Sequence, residues 1–422
     1  MSASGARSPQ APAATKAAGT VAVGLLGHGT VGSAFARLLA EQAPQIELQT
    51  GRRPALCGVL TRSQGSFEEI LERAEVVVEL IGGIEPARRY ALQTLAKGKA
   101  LITANKQLLC AHGEELYEAA RASGAQLRFE AAVAGVIPVI RVIREALSCA
   151  SLERVHGIVN GTTNYILTEM AAGRTYAEAL AKAQAAGYAE ADPSDDVTGR
   201  DAAAKMAILA RLAFGVPITL EDVRYEGIEH LAPDDLSYAK EFDLSLKLVG
   251  TAERLGEGIS VRVHPAFLYA NHPLASVSGP FNAVTVESSQ ITEITMSGPG
   301  AGGIQTAAAV LGDLLSALTS PIPPPPPPLR LPVVEDVESA YYLHVEVADR
   351  PGVLAEVAGV LGAHGISIKS VVQRGLGANA RLVMVTHRTR SSRLEAASAA
   401  LGRLASVRSK PRAIAVIEEE FN

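Results

Sequence analysis

Short apolar runs alternate with helical patterns along the first 150 residues of the chain. The runs are Val21–Leu26, Ala55–Thr61, Val76–Leu80 and Ala100–Thr103, and a fifth strand is predicted at Gln126–Ala131. Continuous apolar runs of this length are typical of strands that are buried on both faces of a parallel sheet. Because helical patterns separate the runs, residues 20–150 are predicted to form a Rossmann-type, doubly wound α/β domain with right-handed crossovers.

The pattern changes near Leu152. A strand and several helical stretches lead to four short β-like runs beyond about residue 244, and turn residues separate these runs. Such spacing is typical of antiparallel hairpins, so residues 151–298 are predicted to form a second, mixed α+β domain with an open sheet and helices on one face. The glycine-rich stretch and helix within residues 299–319 are predicted to return the chain to the first domain.

Residues 320–339 contain six consecutive prolines, which cannot join a helix or a sheet interior. They are predicted to form a semi-rigid polyproline linker. Residues 340–422 then show the order βαββαβ, which is typical of a ferredoxin-like unit that is separate from the rest. Residues 1–19 lack an apolar core, and a disordered tail is expected there rather than a secretory signal.

Composition narrows the class of protein. A length of 422 residues allows two or three domains, and the net charge of −5 provides no basic footprint for a nucleic acid. No uninterrupted apolar run is long enough to span a membrane. The three cysteines, Cys57, Cys110 and Cys149, show no metal-binding spacing, so a reduced, cytoplasmic location is expected.

A glycine motif lies between the first strand and the first helix. Gly27 would permit a tight turn, Gly29 would let a pyrophosphate approach the backbone, and Gly32 would let the helix pack closely on the strand. The amides at the start of the helix would then face the phosphates. The sequence therefore predicts dinucleotide binding, the alternative being a glycine-rich turn of some other α/β domain. The predicted contacts are Gly27, His28, Gly29, Thr30, Val31 and Gly32.

Further cofactor contacts are predicted at the carboxyl ends of the strands, where ligands bind in doubly wound sheets. Arg62 follows the second strand and could pair with a 2′-phosphate, which favours NADP over NAD; a solvated surface arginine is an equal alternative. Thr103 and Lys106 follow the fourth strand and are expected near the nicotinamide. Gly302, in the run GPGAGG, is expected on the same side.

The stretch from Gly187 to Lys205 is predicted to carry the chemistry. Its acidic loop suits a small cationic substrate, and Asp201 and Lys205 lie four residues apart on one helix face. An exposed ion pair, worth about 0.2–0.5 kcal/mol of helix stability, is the alternative. In a hydride transfer to an aldehyde, a lysine ammonium can stabilise the charge on oxygen and donate a proton. Lys106 and Lys205 are therefore predicted to converge in one cleft and to lower each other's pKa, with Asp201 acting against that shift.

Taken together, these motifs resemble homoserine dehydrogenase from Val21 to the end of the chain. The specific segments, in order, are TANK, AAVAGVIP, NGTTNYI, GYAEADPSDDVTGRDAAAK and GPGAGG. The tail resembles an ACT domain through DRPGVLAEVAGVLGAHGISI. The resemblance implies reduction of L-aspartate 4-semialdehyde to L-homoserine with NADH or NADPH, in threonine, methionine and isoleucine biosynthesis. It also implies a homodimer or homotetramer, with residues 151–298 forming the interface and the substrate site.

The resemblance also implies roles for individual residues. Lys205 would be the proton donor, and Lys106 a second lysine beside the substrate and nicotinamide. The implied substrate contacts and polar supports are Glu190, Asp195, Asp196, Asp201, Tyr188 and Thr162. A sodium or potassium ion would be held by the main-chain oxygens of Glu130, Val133, Gly135 and Ile137. The ACT domain would bind an amino acid, threonine foremost, near Gly352 or between two such domains.

Two other functions fit parts of this pattern. A non-catalytic sensor would bind dinucleotide and amino acid and respond through the tail. A semialdehyde-oxidising enzyme would need a cysteine nucleophile with a base, and none of the three cysteines has a convincing active-site context.

Overall fold

The computed structural model describes residues 19–418 of the chain. The tail expected at residues 1–19 lies outside the described residues except for Gly19, which begins the first strand. None of the described helices is long and apolar enough to span a membrane.

The first part of the chain forms a five-stranded parallel sheet, which confirms the predicted doubly wound fold. Its elements are β1 (Gly19–Leu26), α1 (Thr30–Thr50), β2 (Arg52–Leu60), α2 (Phe67–Arg73), β3 (Val76–Glu79), α3 (Ala87–Ala96), β4 (Ala100–Thr103), α4 (Lys106–Ser123) and β5 (Leu127–Arg128). The strand order is β2-β1-β3-β4-β5. Strand β5 is shorter than predicted because a 3₁₀ turn at Glu130–Ala132 ends it.

The second part forms a larger sheet with helices packed against it. Its elements are α5 (Val139–Arg141), a π-helical turn (Val142–Ala146), β6 (Arg154–Ile158), α6 (Gly161–Ala171), α7 (Tyr176–Ala185), α8 (Ser194–Val197), α9 (Arg200–Phe214), a 3₁₀ turn (Leu220–Asp222), β7 (Arg224–Tyr225), α10 (Pro233–Ala239), a 3₁₀ turn (Lys240–Phe242), β8 (Leu244–Leu255), β9 (Gly258–Tyr269), β10 (Phe281–Ser288) and β11 (Thr292–Pro299). The order β11-β10-β6-β8-β9 is antiparallel throughout, and β7 adds to β9 in parallel. Helix α11 (Gly303–Thr319) then packs along α1 of the first sheet.

Helix α9 is the central helix of this second part. Its alanine-rich sequence favours a helix, and its small side chains let it lie close to the sheet. Ala203 and Ala207 are fully buried. Gly250 of β8 makes room for Met206, because a Cβ at residue 250 would stand 2.3 Å from the Met206 side chain. The first turn of α9 is thereby held at a fixed height above the sheet.

The C-terminal unit has the predicted βαββαβ order, but it is not structurally separate. Its elements are β12 (Glu338–Glu346), α12 (Val353–Ala363), β13 (Ile368–Arg374), a 3₁₀ turn (Gly377–Asn379), β14 (Arg381–Thr386), β15 (Thr389–Arg390), α13 (Ser391–Leu401) and β16 (Arg412–Ile417). The unit has a core of its own between its sheet and its helices. Strand β16 also pairs in parallel with β9, through residues 415–417 and 266–268, so one sheet runs through both units.

The proline-rich linker lies against the body of the protein. The Leu329 amide donates to the Gly215 carbonyl at 2.7 Å, and the Arg121 guanidinium donates to the Pro326 carbonyl at 3.1 Å. Further on, the Ile259 amide donates to the Pro332 carbonyl at 3.0 Å. The linker is therefore held against α4, the C-terminal end of α9 and β9.

Candidate active site

A buried carboxylate joins the two lysines that the sequence singled out. Lys205 Nζ lies 2.8 Å from Asp201 Oδ2, and Lys106 Nζ donates to Asp201 Oδ1. The side chain of Asp201 is 4% exposed, whereas that of Lys205 is 14% and that of Lys106 is 39% exposed. The two ammonium groups, 99 residues apart along the chain (205 minus 106), thus meet in one cleft.

Helix starts fix these three side chains. Asp201 and Lys205 lie on the first turns of α9, which follows Gly199 in the left-handed conformation (φ +84°). Lys106 is the first residue of α4, and Asn105 caps that helix by accepting a hydrogen bond from the Leu108 amide at 3.1 Å. The short turn after β4 therefore brings Lys106 to the carboxyl edge of the first sheet, and the turn from α8 into α9 presents Asp201 and Lys205 to it.

The charges in the cleft set the titration of Lys106 and Asp201. Burial opposes the charge on Asp201, but Lys205 and Lys106 hold the pKa of Asp201 below its ordinary value. Burial likewise opposes the charge on Lys106, but Asp201, Asp196 and Asp195 raise the pKa of Lys106 above its ordinary value. The prediction that the lysines lower each other's pKa is therefore wrong for Lys106, because Asp201 stands between the two ammonium groups.

Asn160 is a residue whose role the sequence did not reveal. Its Nδ2 donates to Asp196 Oδ1 at 2.6 Å and to Asp201 Oδ2 at 2.9 Å, while its Oδ1 accepts from the Thr163 amide at 2.9 Å. One side chain therefore caps α6 and connects two carboxylates. The asparagine directly before α6, at the start of the NGTTN turn, was the available signal in the sequence.

A cavity of about 270 Å³ opens beside the lysines, toward the first sheet. Gly82 and Gly83 from the loop after β3, and Gly300 and Ala301 from the loop before α11, line it with Lys106 and Lys205. The two sheets and the returning glycine-rich run therefore share one pocket at the carboxyl edge of the parallel strands, where dinucleotides bind.

Glu79 is a second residue that the sequence did not reveal. It is fully buried at the end of β3, and burial raises the pKa of its carboxyl group. Its oxygens accept from the Ile81 amide at 2.7 Å and from the Thr103 hydroxyl at 2.6 Å. The side chain of Thr103 is thus committed to Glu79, so Thr103 orders the strand ends beneath the pocket and leaves only its backbone for a cofactor.

The glycine motif has the geometry that a pyrophosphate requires. A Cβ at Gly27 would stand 2.5 Å from the Leu80 carbonyl oxygen, and a Cβ at Gly32 would stand 2.2 Å from the Gly27 carbonyl oxygen. Nothing lies within 4 Å of a Cβ at Gly29, which precedes the first turn of α1. Two glycines therefore permit close packing, and the third leaves an open approach to the helix N-terminus. Beside them, His28 and Thr30 are exposed and Val31 is half-buried.

Other predicted contacts lie at the margin of this pocket. Arg62 is exposed after β2 and makes no ion pair with the described residues. Gly302 has φ +137° next to Gly303, where a Cβ would stand 2.8 Å from Thr30 of α1. The glycine-rich run thus reaches the phosphate end of the pocket.

Only part of the acidic loop lies close to the two lysines. Asp196 is half-buried beside Asn160, and burial raises the pKa of its carboxyl group. Glu190 is exposed, and Asp195 points outward to pair with Arg200 at 3.4 Å. The two remaining predicted contacts are joined to each other, since the Thr162 hydroxyl donates to the Tyr188 carbonyl at 2.7 Å.

The loop after β5 has features that suit a monovalent cation. Val133 and Gly135 are buried, and their carbonyl oxygens accept no hydrogen bond from the described residues. The carbonyls of Glu130 and Ile137 accept from the Val133 amide at 3.4 Å and the Val139 amide at 2.8 Å. Buried carbonyls without partners are rare, and oxygen ligands suit a hard cation, so the donor set fits the expected ion.

The described cysteines give no support to thioester chemistry. Burial raises the pKa of the Cys57 and Cys110 thiols, which disfavours the nucleophilic thiolate. None of the three cysteines lines the cavity beside Lys106.

The fold and the cleft define a nicotinamide-dependent oxidoreductase, because a dinucleotide-binding sheet opens onto two ammonium groups placed to act on a carbonyl oxygen. The sequence is similar to homoserine dehydrogenase from Corynebacterium glutamicum, with 41% identity over 395 residues, 87% of this chain and 89% of that protein. The chain belongs to the homoserine dehydrogenase family.

Family models and solved structures agree with this conclusion. The homoserine dehydrogenase model matches residues 138–315, its NAD-binding domain matches residues 27–130, and the ACT domain matches residues 341–406. A homoserine dehydrogenase from Thiobacillus denitrificans has a TM-score of 0.89 at 37% identity, covering 94% of this chain and 98% of that one. A hyperthermophilic archaeal homoserine dehydrogenase in complex with NADPH has a TM-score of 0.62 at 26% identity, covering 74% and 100%. These findings support an enzyme rather than a non-catalytic sensor.

Proposed function

We propose that the cleft between Lys106 and Lys205 reduces L-aspartate 4-semialdehyde to L-homoserine, with Lys205 as the proton donor. The observation that carries this proposal is the bridge from Asp201 to both ammonium groups, at the wall of the pocket beside the parallel sheet. The reaction needs a positive charge where the aldehyde oxygen becomes an alkoxide, and both lysines supply one there.

The two lysines take different parts in this proposal. The bound nicotinamide supplies the hydride. Lys205 is the more buried ammonium group, and its hydrogen bonds to Asp201 and to the Val159 carbonyl, both at 2.8 Å, fix its direction. Lys106 is more open to solvent and stays charged because of Asp201. We assign proton donation to Lys205, and binding of the substrate and orientation of the nicotinamide to Lys106.

The substrate's ammonium group is proposed to bind the acidic loop. Within the acidic loop, Asp196 is connected to Asp201, because Asn160 donates to both carboxylates. Glu190 is proposed as the direct ligand, with Asp195, Thr162 and Tyr188 as nearby supports.

The coenzyme is proposed to be NADP in preference to NAD. Arg62 is exposed and unpaired among the described residues, directly after β2, where the adenosine ribose lies in this fold. The NADPH complex of the archaeal homoserine dehydrogenase supports the same choice. We also propose that a sodium or potassium ion binds the carbonyls of the loop at residues 130–137.

Regulation and assembly are proposed from the C-terminal unit and the family. An amino-acid effector, threonine foremost, would bind near Gly352, where a φ of +89° precedes α12 and nothing lies within 4 Å of a Cβ. We propose a homodimer or homotetramer that acts in threonine, methionine and isoleucine biosynthesis in the cytoplasm.

Substitution of Lys205 by methionine tests the catalytic assignment. The expected result is a fall in kcat of roughly 10²–10⁴, the usual range for an acid–base group, with NADPH binding retained. Lys182→Met is the matched control, because Lys182 is exposed, pairs with Glu169 of another helix and does not line the pocket at Lys106. Steady-state kinetics with aspartate 4-semialdehyde and a coenzyme fluorescence titration measure both quantities. A Lys205→Met enzyme with near-normal kcat would refute the assignment.

A further inference from the structure

A second cavity, of about 420 Å³, lies between the substrate domain and the C-terminal unit. One wall is formed by β7 and the middle of β9, and the other by β12, α13 and β16. Its volume lies in the range of roughly 300–1,000 Å³ that is typical of small-molecule sites. The cavity contains none of the residues that line the pocket at Lys106, and none of the loop at residues 349–353.

Polar groups in this cavity are available for a ligand. Tyr341 is 9% exposed, and its hydroxyl makes no hydrogen bond with the described residues. The side chain of Arg262 is 15% exposed. One of its nitrogens is held by Glu253 and Ser260, and its other nitrogens donate to no described residue. The Tyr341 hydroxyl and the remaining Arg262 nitrogens therefore have no partner among the described residues and can donate to a polar ligand group.

The lining indicates the chemical class of that ligand. Arg262 and Arg224 are placed to bind a carboxylate, with the Tyr341 hydroxyl as a donor. Of the carboxylates of the lining, Glu335 makes no ion pair with the described residues and is suited to an ammonium group. Glu226 pairs with His230 at 2.9 Å, and Glu395 pairs with Arg224 at 2.9 Å. The buried apolar residues of the lining are Val263, Val337, Leu394 and Ile414. A zwitterion with an apolar side chain satisfies all three surfaces, whereas a phosphate would meet more carboxylates than arginines.

The wall of this cavity is joined to the catalytic helix. The Glu226 amide donates to the Val263 carbonyl at 2.8 Å, which holds the segment 224–228 on β9. The Ile228 amide donates to the Val197 carbonyl at 2.9 Å. A Cβ at Gly227 would stand 2.0 Å from the same Val197 oxygen, so the two segments are in direct contact. Val197 lies three residues before the start of α9 (200 minus 197), the helix that carries Asp201.

The two sides of the cavity are also joined across its mouth. Arg224 of the substrate domain pairs with Glu395 of α13 at 2.9 Å. Because both side chains are exposed, this pair contributes little stability by itself. A ligand carboxylate could therefore take the place of Glu395 at Arg224 at little cost.

We propose that the cavity between β9 and α13 binds an amino acid with an apolar side chain, and that its occupancy is transmitted through residues 224–228 to α9 and Asp201. This site is distinct from the effector site proposed near Gly352. The effect on α9 is measured through the kinetics of the proposed reaction and therefore rests on the proposed function. Binding of the amino acid is measured directly and does not depend on that reaction.

Calorimetric titration of the full-length protein tests the binding. The probes are L-valine, L-leucine, L-methionine and L-phenylalanine, with glycine as the probe that lacks an apolar side chain. At least one of the four is expected to bind at least 10-fold more tightly than glycine. Tyr341→Phe and Arg224→Gln are each expected to weaken that binding by roughly 10-fold, because each removes a donor to a charged group. Gly352→Asn is the control and is expected to leave it unchanged.

Two further measurements complete the test. Ala413→Phe, an exposed position at the cavity, is expected to abolish binding by filling the mouth, while the melting temperature stays close to that of the wild type. Saturation with the bound probe is expected to change KM or kcat for aspartate 4-semialdehyde at least two-fold, and Ala413→Phe is expected to remove this response.

The outcomes that overturn the proposal are distinct from failure of the proposed function. No binding of any of the four probes to the wild type refutes the site. Binding that survives Tyr341→Phe, Arg224→Gln and Ala413→Phe but is lost in Gly352→Asn places the ligand in the other loop and also refutes it. Binding with unchanged kinetics refutes the transmission. A wild-type protein that does not turn over the semialdehyde refutes the proposed function alone, because the calorimetric test of binding does not require turnover.

Discussion

The substitution Asp201→Asn tests whether the Asp201 carboxylate acts on the two lysines through its charge or only contributes to the stability of the fold. The substitution keeps the size of the side chain and an oxygen that can accept from Lys205 and Asn160. It removes the negative charge that two ammonium groups share in the cleft. The expected changes are therefore electrostatic, and they should be seen first in the pH dependence of the reaction.

The distance between Asp201 and Lys106 sets the size of their electrostatic interaction. Two unit charges about 4 Å apart interact by about 4 kcal/mol at an effective dielectric constant of about 20. The Lys106 side chain is 39% exposed, so solvent screening reduces this value to about 1–2 kcal/mol. Because Asp201 raises the pKa of Lys106, its removal lowers that pKa, and the ammonium group is lost at a lower pH.

The assay is the pH profile of kcat for semialdehyde reduction. The alkaline limb is expected to move to lower pH in Asp201→Asn, and kcat at neutral pH is expected to fall by roughly 10² because the lysines lose their common anchor. Asp234→Asn is the matched control, since Asp234 is exposed and pairs with Arg381, and it does not line the pocket at Lys106. If Asp201→Asn lowered the free energy of unfolding but kept the alkaline limb and the kcat of the wild type, the assigned role of Asp201 between the two lysines would be wrong.

Three further predictions concern the coenzyme, the cation loop and acid stability. Arg62→Ala is expected to raise KM for NADPH roughly 10-fold and to leave KM for NADH unchanged; equal changes for both coenzymes would contradict a 2′-phosphate contact. Gly135→Ala is expected to lower the melting temperature and the response of kcat to sodium or potassium, because φ is +65° and a Cβ would stand 2.7 Å from the Gly300 carbonyl oxygen; an unchanged cation titration would count against this loop. Burial lowers the pKa of His272 from 6.5 to about 4, and its ring nitrogen accepts from the Leu274 amide at 3.1 Å. The contribution of the neutral His272 ring to the free energy of unfolding is therefore complete above pH 6.5, and about 3 kcal/mol of it is lost as the pH falls towards 4. Urea unfolding at pH 7 and pH 4.5 should show this pH dependence in the wild type and lack it in His272→Gln.

Local patterns were sufficient for much of the fold and of the cleft. The strands of both larger sheets follow from apolar runs and turn residues, and the glycine motif follows from its place between β1 and α1. The meeting of Lys106 and Lys205 was also predictable. A strand end in a doubly wound sheet and a charged helix start beside an acidic loop are both common ligand sites.

Contacts that depend on three-dimensional approach could not be predicted in this way. Nothing in the sequence near Asn160 indicates that its amide connects Asp196 to Asp201, because the three residues lie on different elements. The buried position of Glu79 likewise depends on Thr103 from the next strand. The direction of the pKa shift of Lys106 was mispredicted for the same reason, since the sequence does not show which charge lies between the two lysines.

The joined sheet changes how regulation by the C-terminal unit is understood. A ferredoxin-like unit on a flexible linker could respond to a ligand without affecting the catalytic helix. Here β16 pairs with β9, and β9 holds the segment 224–228 that contacts the start of α9. A movement of the C-terminal unit must therefore break strand pairing or carry β9 with it. Removal of residues 321–422 would also expose the edge of β9, so loss of threonine response in such a truncation would not separate regulation from unfolding. Single substitutions in the full-length chain make that separation, because they leave the shared sheet intact.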